Sequence, residues 1–171
     1  VITAVELLDM VEGAVRKRSD ISVKENSLAA IKYSFLKSNI GSDIVFNLDE
    51  SISLEGNSGP YIQYAAVRAK SILAKDEDSN IGGYDWKEEH SLLMKLMEYP
   101  DIVQSAAENL SPHEIANYIY SLAREMNKYY ENVPVLKADK EKGARIAILK
   151  KVVQVFESSL GLMGITIPDK M

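Results

Sequence analysis

The chain has 171 residues, 25 acidic and 20 basic side chains, a formal net charge of −5, no cysteine and two histidines; 46% of it is hydrophobic. That length suits one domain, or one domain plus a piece of another, and can bury roughly 70% of the unfolded surface without disulfide or metal. Zero cysteine excludes disulfide scaffolds, thiolate zinc sites and cysteine nucleophiles. The acidic balance argues against a general nucleic-acid binder, whose pI usually exceeds about 9.

No apolar run approaches the roughly 20 residues that span a bilayer. The start, Val1-Ile2-Thr3-Ala4, lacks an initiator methionine and a basic segment ahead of an apolar one, so it does not read as a signal peptide. The expectation is a soluble, cytoplasmic segment from the interior of a longer protein. Tag removal or processing is the alternative.

Val5, Leu8, Val11 and Val15 recur at helical spacing, predicting a helix over 4–18, with Thr3 and Glu6 as a capping box. Arg16-Lys17-Arg18 falls in the last turn, where cations suit the helix dipole. A second helix fits 23–37, with Leu28, Ile31, Phe35 and Leu36 inward. Over 41–55, Ile44, Phe46 and Leu48 alternate, then Ile52 and Leu54, which predicts an extended connector. Gly56-Asn57-Ser58-Gly59-Pro60 is a turn cluster, and Pro60 suits a first helical position. A helix to about Lys75 follows, then a polar surface loop over 75–85 with Asp76-Glu77-Asp78 and Gly82-Gly83.

The rest predicts helices. Asp85 with Glu88 suggests a capping box, and Trp86, His90, Leu93 and Met97 share a face. Pro100 suggests a fresh start for a short helix to about Leu110. Ser111-Pro112-His113-Glu114 combines an N-cap residue, proline at N1 and glutamate at N3. Its helix carries Ile115, Ile119, Leu122, Met126 and Tyr129 on one stripe, and Asn132 to Pro134 break it. A last helix runs from about Asp139 to Leu160, with Ile146, Leu149, Val153, Phe156 and Leu160 in line and Gly161 and Gly164 as C-cap candidates. The fold class is therefore mainly α, with an antiparallel helical bundle over the C-terminal two thirds.

No glycine-rich phosphate loop, serine elbow or metal spacing occurs. His90 reads as a half-buried partner of Trp86 and Leu93, and His113 as an exposed first-turn residue. No catalytic or metal-binding residue is assigned, and the residues imply no cofactor for this chain.

On a wheel of about 100° per residue, Ile62, Ala66, Ala69 and Leu73 form a core stripe. Tyr61, Tyr64, Ala65 and Arg68 form a second, roughly 100° away. Two tyrosines and an arginine on one face make a stacking surface with a cation at its end, suited to unpaired bases. The alternative is that the tyrosines cover a neighbouring helix and Arg68 snorkels; spacing alone favours that plainer arrangement.

The segment from Glu55 to Arg68, Glu-Gly-Asn-Ser-Gly-Pro-Tyr-Ile-Gln-Tyr-Ala-Ala-Val-Arg, resembles the Glu-Gly-Asn-Thr-Gly-Pro-Tyr-x-Gln-Tyr-Ala-x-x-Arg motif of arginyl-tRNA synthetases. Glu98-Tyr99-Pro100-Asp101-Ile102-Val103 is similar to that family's Tyr-Pro-x-Val segment, and Tyr118 to Ala123 with Asn127, Tyr129 and Tyr130 to its next helix. Ala144-Arg145 with Leu149 lies where the family carries an Ala-Arg-Leu signature. The ending from Leu160 to Met171 resembles its Leu-Gly-…-Pro-x-x-Met terminus.

The resemblance implies a class I enzyme that activates arginine with ATP, with magnesium, on a catalytic domain and binds the anticodon stem-loop of arginine tRNA on a helical C-terminal domain. The His-Ile-Gly-His-like and Lys-Met-Ser-Lys-Ser-like motifs of that catalytic domain are missing, so this chain alone is expected to be inactive. Residues 1–57 resemble the catalytic domain's helical tail, and 58–171 the anticodon-binding domain. Family contact positions carry over onto Tyr61, Tyr64, Arg68 and Met171, and Tyr130 matches a further aromatic near the loop. Ala66 stands where many members have histidine, and Ser58 where threonine is commoner. The implied partners are arginine tRNA and the catalytic domain, with no metal or membrane. Orphaned apolar faces near Leu8 and Phe35 are expected to promote self-association. Two other readings are a helical interaction domain with no RNA role and the anticodon domain of a related class I synthetase. A positive groove beside Tyr61, Tyr64 and Arg68 would favour RNA over the first; the Gly-Pro-Tyr-Ile-Gln-Tyr segment argues against the second.

Overall fold

The computed structural model describes residues 2–75, 86–138 and 140–171. Seven helices run in order among them: α1 (Ala4–Arg16), α2 (Val23–Leu36), α3 (Leu48–Ser51), α4 (Gly59–Leu73), α5 (His90–Glu108), α6 (Pro112–Asn132) and α7 (Lys142–Leu162). No strand occurs among the described residues. The expected loop residues 76–85, with the acidic run, the glycine pair and the Asp85 half of a capping box, lie outside the described residues, as does Asp139.

Contacts between helices fix their directions. Glu89 meets Tyr129, and Lys95 meets Tyr118, so α5 and α6 are antiparallel. Tyr61 meets Tyr120 and Arg68 meets Asn127, so α4 runs parallel to α6. Glu89 meets Arg145 and Tyr99 meets Ser158, so α5 and α7 run together. The core between them holds the predicted stripes of α6 and α7: Ile119, Leu122, Met126, Ile146, Leu149, Phe156 and Leu160 are fully buried. A smaller cluster of Val11, Val15, Val23, Ala30 and Ile52 joins α1 and α2 to the residue after α3.

The helix ends follow local chemistry. The Thr3–Glu6 capping box forms, and hydrogen bonds from Thr3 hold the Glu6 carboxyl below its ordinary pKa. At the end of α7, Ile165 N–H reaches the Leu160 carbonyl at 2.8 Å and Gly164 N–H the Gly161 carbonyl at 2.9 Å, a Schellman closure with Gly164 at φ 63°. Leu160 and Ile165, the two ends of that closure, are both buried.

Several expectations need correcting. The buried face of α2 is Ser27, Ala29, Ala30, Tyr33 and Ser34, while Leu28, Ile31 and Leu36 lie at its margins and Phe35 is 40% exposed against Phe46. Small side chains win there because the start of α4 comes too close for large ones. Residues 48–51 are helical rather than extended; Asn47 accepts the Glu50 N–H at 3.2 Å, a cap that outweighs the apolar alternation.

α5 begins at His90, not Trp86, and passes through Pro100 unbroken. An interior proline costs about 3 kcal/mol, which the burial of Leu92 and Ala106 and the packing of Leu96, Tyr99 and Ile102 offset. The Tyr118 hydroxyl also donates to the Lys95 carbonyl at 2.8 Å in the turn ahead of Pro100; burial raises the Tyr118 pKa. Trp86 and Leu93 of the predicted face pack partly buried against the core, but the fully inward residue is Leu92, Met97 is 70% exposed and His90 is exposed. The second histidine departs the other way: His113 is half-buried, with Nδ1 buried and unpartnered among the described residues.

Candidate nucleic-acid interface

The site starts with how α4 begins. Ser58 caps it by accepting the Tyr61 N–H at 3.1 Å, and its hydroxyl donates to the Ser53 carbonyl. Pro60 lies in the first turn, where no backbone donor is needed. A Cβ on Gly59 would stand 2.2 Å from the Ala29 carbonyl oxygen, so only glycine lets α4 sit this close to α2. Ile62, Ala65, Ala66 and Ala69 are then buried, and Ile72 more so than the predicted Leu73. Ala66 faces the core, so the position where many arginyl-tRNA synthetases carry histidine points inward.

This seating turns the second stripe outward in part. The Arg68 guanidinium carbon lies 4.4 Å from the Tyr64 ring centre and 4.6 Å from that of Tyr130 on α6. Its Nη1 donates to Asn127 Oδ1 at 3.4 Å. Each cation–π contact contributes about 0.5–1 kcal/mol at an exposed site. Together they hold a long, rotamer-rich side chain in one place before any ligand arrives. Tyr64, Arg68, Ser71, Tyr130 and Met171 line a cavity of about 260 Å³. A second cavity, about 570 Å³, shares Ile72, Lys75 and Tyr130 with it and continues along 131–137. Tyr130, 42% exposed, stands where the two meet.

Four of the five predicted site residues therefore converge: Tyr64, Arg68, Tyr130 and Met171. Tyr61 does not line that cavity. Its ring packs 5.8 Å from Tyr120, partly buried against the core, so the plainer arrangement holds for this tyrosine. Residue spacing gave no sign of Asn127, nor of what fixes the end of α6. There, the Tyr129 hydroxyl donates to Glu89 Oε1 at 3.1 Å, and Arg145 Nε donates to the same oxygen at 3.0 Å. Arg145 also pairs with Glu88 and reaches the Pro134 carbonyl at 3.4 Å. Two signals point to Arg145: its place in the Ala-Arg-Leu signature, and its position between the apolar Ala144 and Ile146, where a buried charge demands a partner.

Among the described residues, no helix is long and apolar enough to cross a membrane, and no group of histidine or carboxylate side chains is placed to hold a metal.

A sequence profile described as the DALR anticodon binding domain matches residues 62–171. The arginine–tRNA ligase of Pyrococcus furiosus is 40% identical over 162 residues, covering 86% of this chain and 26% of that protein. That of Flavobacterium psychrophilum is 36% identical over 171 residues, covering 97% of this chain and 28% of its own length. The structure of Thermus thermophilus arginyl-tRNA synthetase matches 100% of this chain and 32% of its own, with a TM-score of 0.91 and 30% identity. The chain thus spans under a third of the length of these relatives. Fold and site together define an all-helical domain that presents an aromatic–cation surface beside a cavity. The chain belongs to the DALR anticodon-binding domain family, and its resemblance to arginyl-tRNA synthetases holds along its whole length.

Proposed function

We propose that this chain is the C-terminal part of an arginine–tRNA ligase and that it binds the anticodon stem-loop of arginine tRNA. The observation that carries this reading is Arg68 held over Tyr64 and Tyr130 at the mouth of a cavity. An unstacked base can lie on a tyrosine ring there, worth about 1–3 kcal/mol, while Arg68 meets phosphate or a base edge. Every arginine codon has a central G, so every arginine anticodon has a central C. One pocket that fixes a single splayed cytosine serves all of them.

Charge supports RNA over a purely protein-binding role. Around the two cavities Arg68, Lys75 and Lys137 are cationic and Glu131 is anionic, against the acidic balance of the whole chain. Residues 1–57 fit the tail of the catalytic domain, which supplies the ATP and magnesium chemistry in a cytoplasmic enzyme. Their exposed Ile2, Val5, Ile40 and Val45 suit a surface covered by that domain. Alone, the chain is expected to self-associate through them, so sedimentation at high concentration should show dimers; a clean monomer contradicts this.

Arg68→Ala is expected to weaken binding of an arginine anticodon hairpin by about 2 kcal/mol, roughly thirtyfold. Arg68→Lys should recover little, because an ammonium cannot lie flat over two rings. Unchanged binding in Arg68→Ala and Tyr64→Ala would make the cluster structural. Affinity should fall with salt less steeply than for a basic domain, since few phosphates are neutralised.

A further inference from the structure

Gln63 lies between Tyr61 and Tyr64 in sequence but points away from the cavity and is fully buried. Its Nε2 donates to the Thr166 carbonyl at 2.6 Å and to the Glu25 carbonyl at 3.4 Å. Two carbonyls can be served only by the NH₂ group, which fixes the amide's orientation. Its Oε1 has no partner among the described residues. The donor half alone accounts for an amide in this place. It bridges the first turn of α2 and the extended segment beyond α7.

That segment, 164–171, has no regular structure of its own. It leaves α7 at Gly164 and buries Ile165 and Pro168. Side chains hold its backbone: Lys32 donates to the Gly164 carbonyl, Gln63 to Thr166, and Ser22 Oγ to the Lys170 carbonyl at 2.9 Å. Of these anchors, only Gln63 is buried. The segment ends with Met171 against the cavity of Tyr64, Arg68 and Tyr130.

The geometry points to Gln63 as a positioning residue for the proposed base pocket: it clamps 164–171 to α2 and so holds Met171 as a wall of the cavity. This rests on that cavity being the base site. Gln63 touches no ligand; it acts through Met171. The affinity of the pocket is thereby tied to α2, which lies outside the span matched by the family profile.

The test is a double-mutant cycle read by titration with the arginine anticodon hairpin. The chains are the unaltered one, Gln63→Leu, a chain lacking Met171, and the two changes combined. Each single change should weaken binding about tenfold, the size expected when one wall of a base pocket is lost. The combination should be no weaker than the Met171 deletion alone. The Met171 methyl NMR signal should move toward that of free methionine in Gln63→Leu, while the core Met126 signal stays. Ser22→Ala, which removes an outer anchor and leaves the core intact, should shift Met171 less but in the same direction. Additive losses, a Met171 deletion without effect, or an unmoved Met171 signal would overturn the clamp. A chain that cannot tell the hairpin from a copy with its central base changed would instead sink the base-site reading, leaving the NMR result to stand or fall separately.

Discussion

Arg145→Ala is expected to destabilise the fold by about 3–5 kcal/mol, the largest loss for any single residue discussed. The Arg145 side chain is 7% exposed and pairs at 3.0 Å with Glu89, which is fully buried. Removing the guanidinium takes the 3.0 Å cationic donor from a buried carboxylate and the 3.4 Å donor from the Pro134 carbonyl. Replacing both partners, as in Glu89→Met with Arg145→Met, should recover much of the loss, since no charge is then stranded. Urea denaturation measures both. A loss below about 1 kcal/mol for Arg145→Ala would mean that the pair behaves like a solvated surface bridge. Because Tyr129 precedes Tyr130, the same variant should also loosen the Tyr130 platform and weaken hairpin binding.

Gly59→Ala is expected to cost about 3 kcal/mol, the upper range for overpacking. The added methyl would meet the Ala29 carbonyl oxygen at 2.2 Å and its carbon at 2.5 Å. Backbone cannot rotate aside as a side chain can, so α4 must lift from α2. Ala29→Gly should therefore rescue little, because the Ala29 Cβ is the more distant contact at 3.1 Å. Full rescue would show that side-chain crowding, not the carbonyl, sets the spacing. Gly41 and Gly56 differ: a Cβ there meets nothing within 4 Å, and their positive φ is what favours glycine.

Where one face decides the fold, the sequence was informative. The stripes of α6 and α7, the Thr3–Glu6 box and the break over Asn132 to Pro134 needed only periodicity and caps. α2 misled because its buried face is made of alanine, serine and one tyrosine, while its large residues lie at the margins. Hydrophobic size marks a core only when the neighbour stands far enough away to admit it. Pro100 suggests a fresh helix start on local backbone cost alone, and the tertiary contacts along α5 offset that cost.

The site divided in the same way. Helical spacing placed Tyr64 and Arg68 on one face, and the family resemblance added Tyr130 and Met171. Spacing could not say that Tyr61 would be taken up by Tyr120, because that contact lies across to another helix. Nor could it bring Asn127 under Arg68 or Glu89 to Arg145, which are 59 and 56 residues apart. The overall charge of −5 points away from nucleic acid because it averages over a surface where three of the four charged side chains lining the cavities are positive.

The most direct measurement is a titration of the chain with two hairpins, one bearing an arginine anticodon and one differing only at its central C. The account predicts at least about tenfold weaker binding of the altered hairpin, the loss of one recognised base. Equal affinities would contradict anticodon reading by the pocket of Tyr64, Arg68, Tyr130 and Met171.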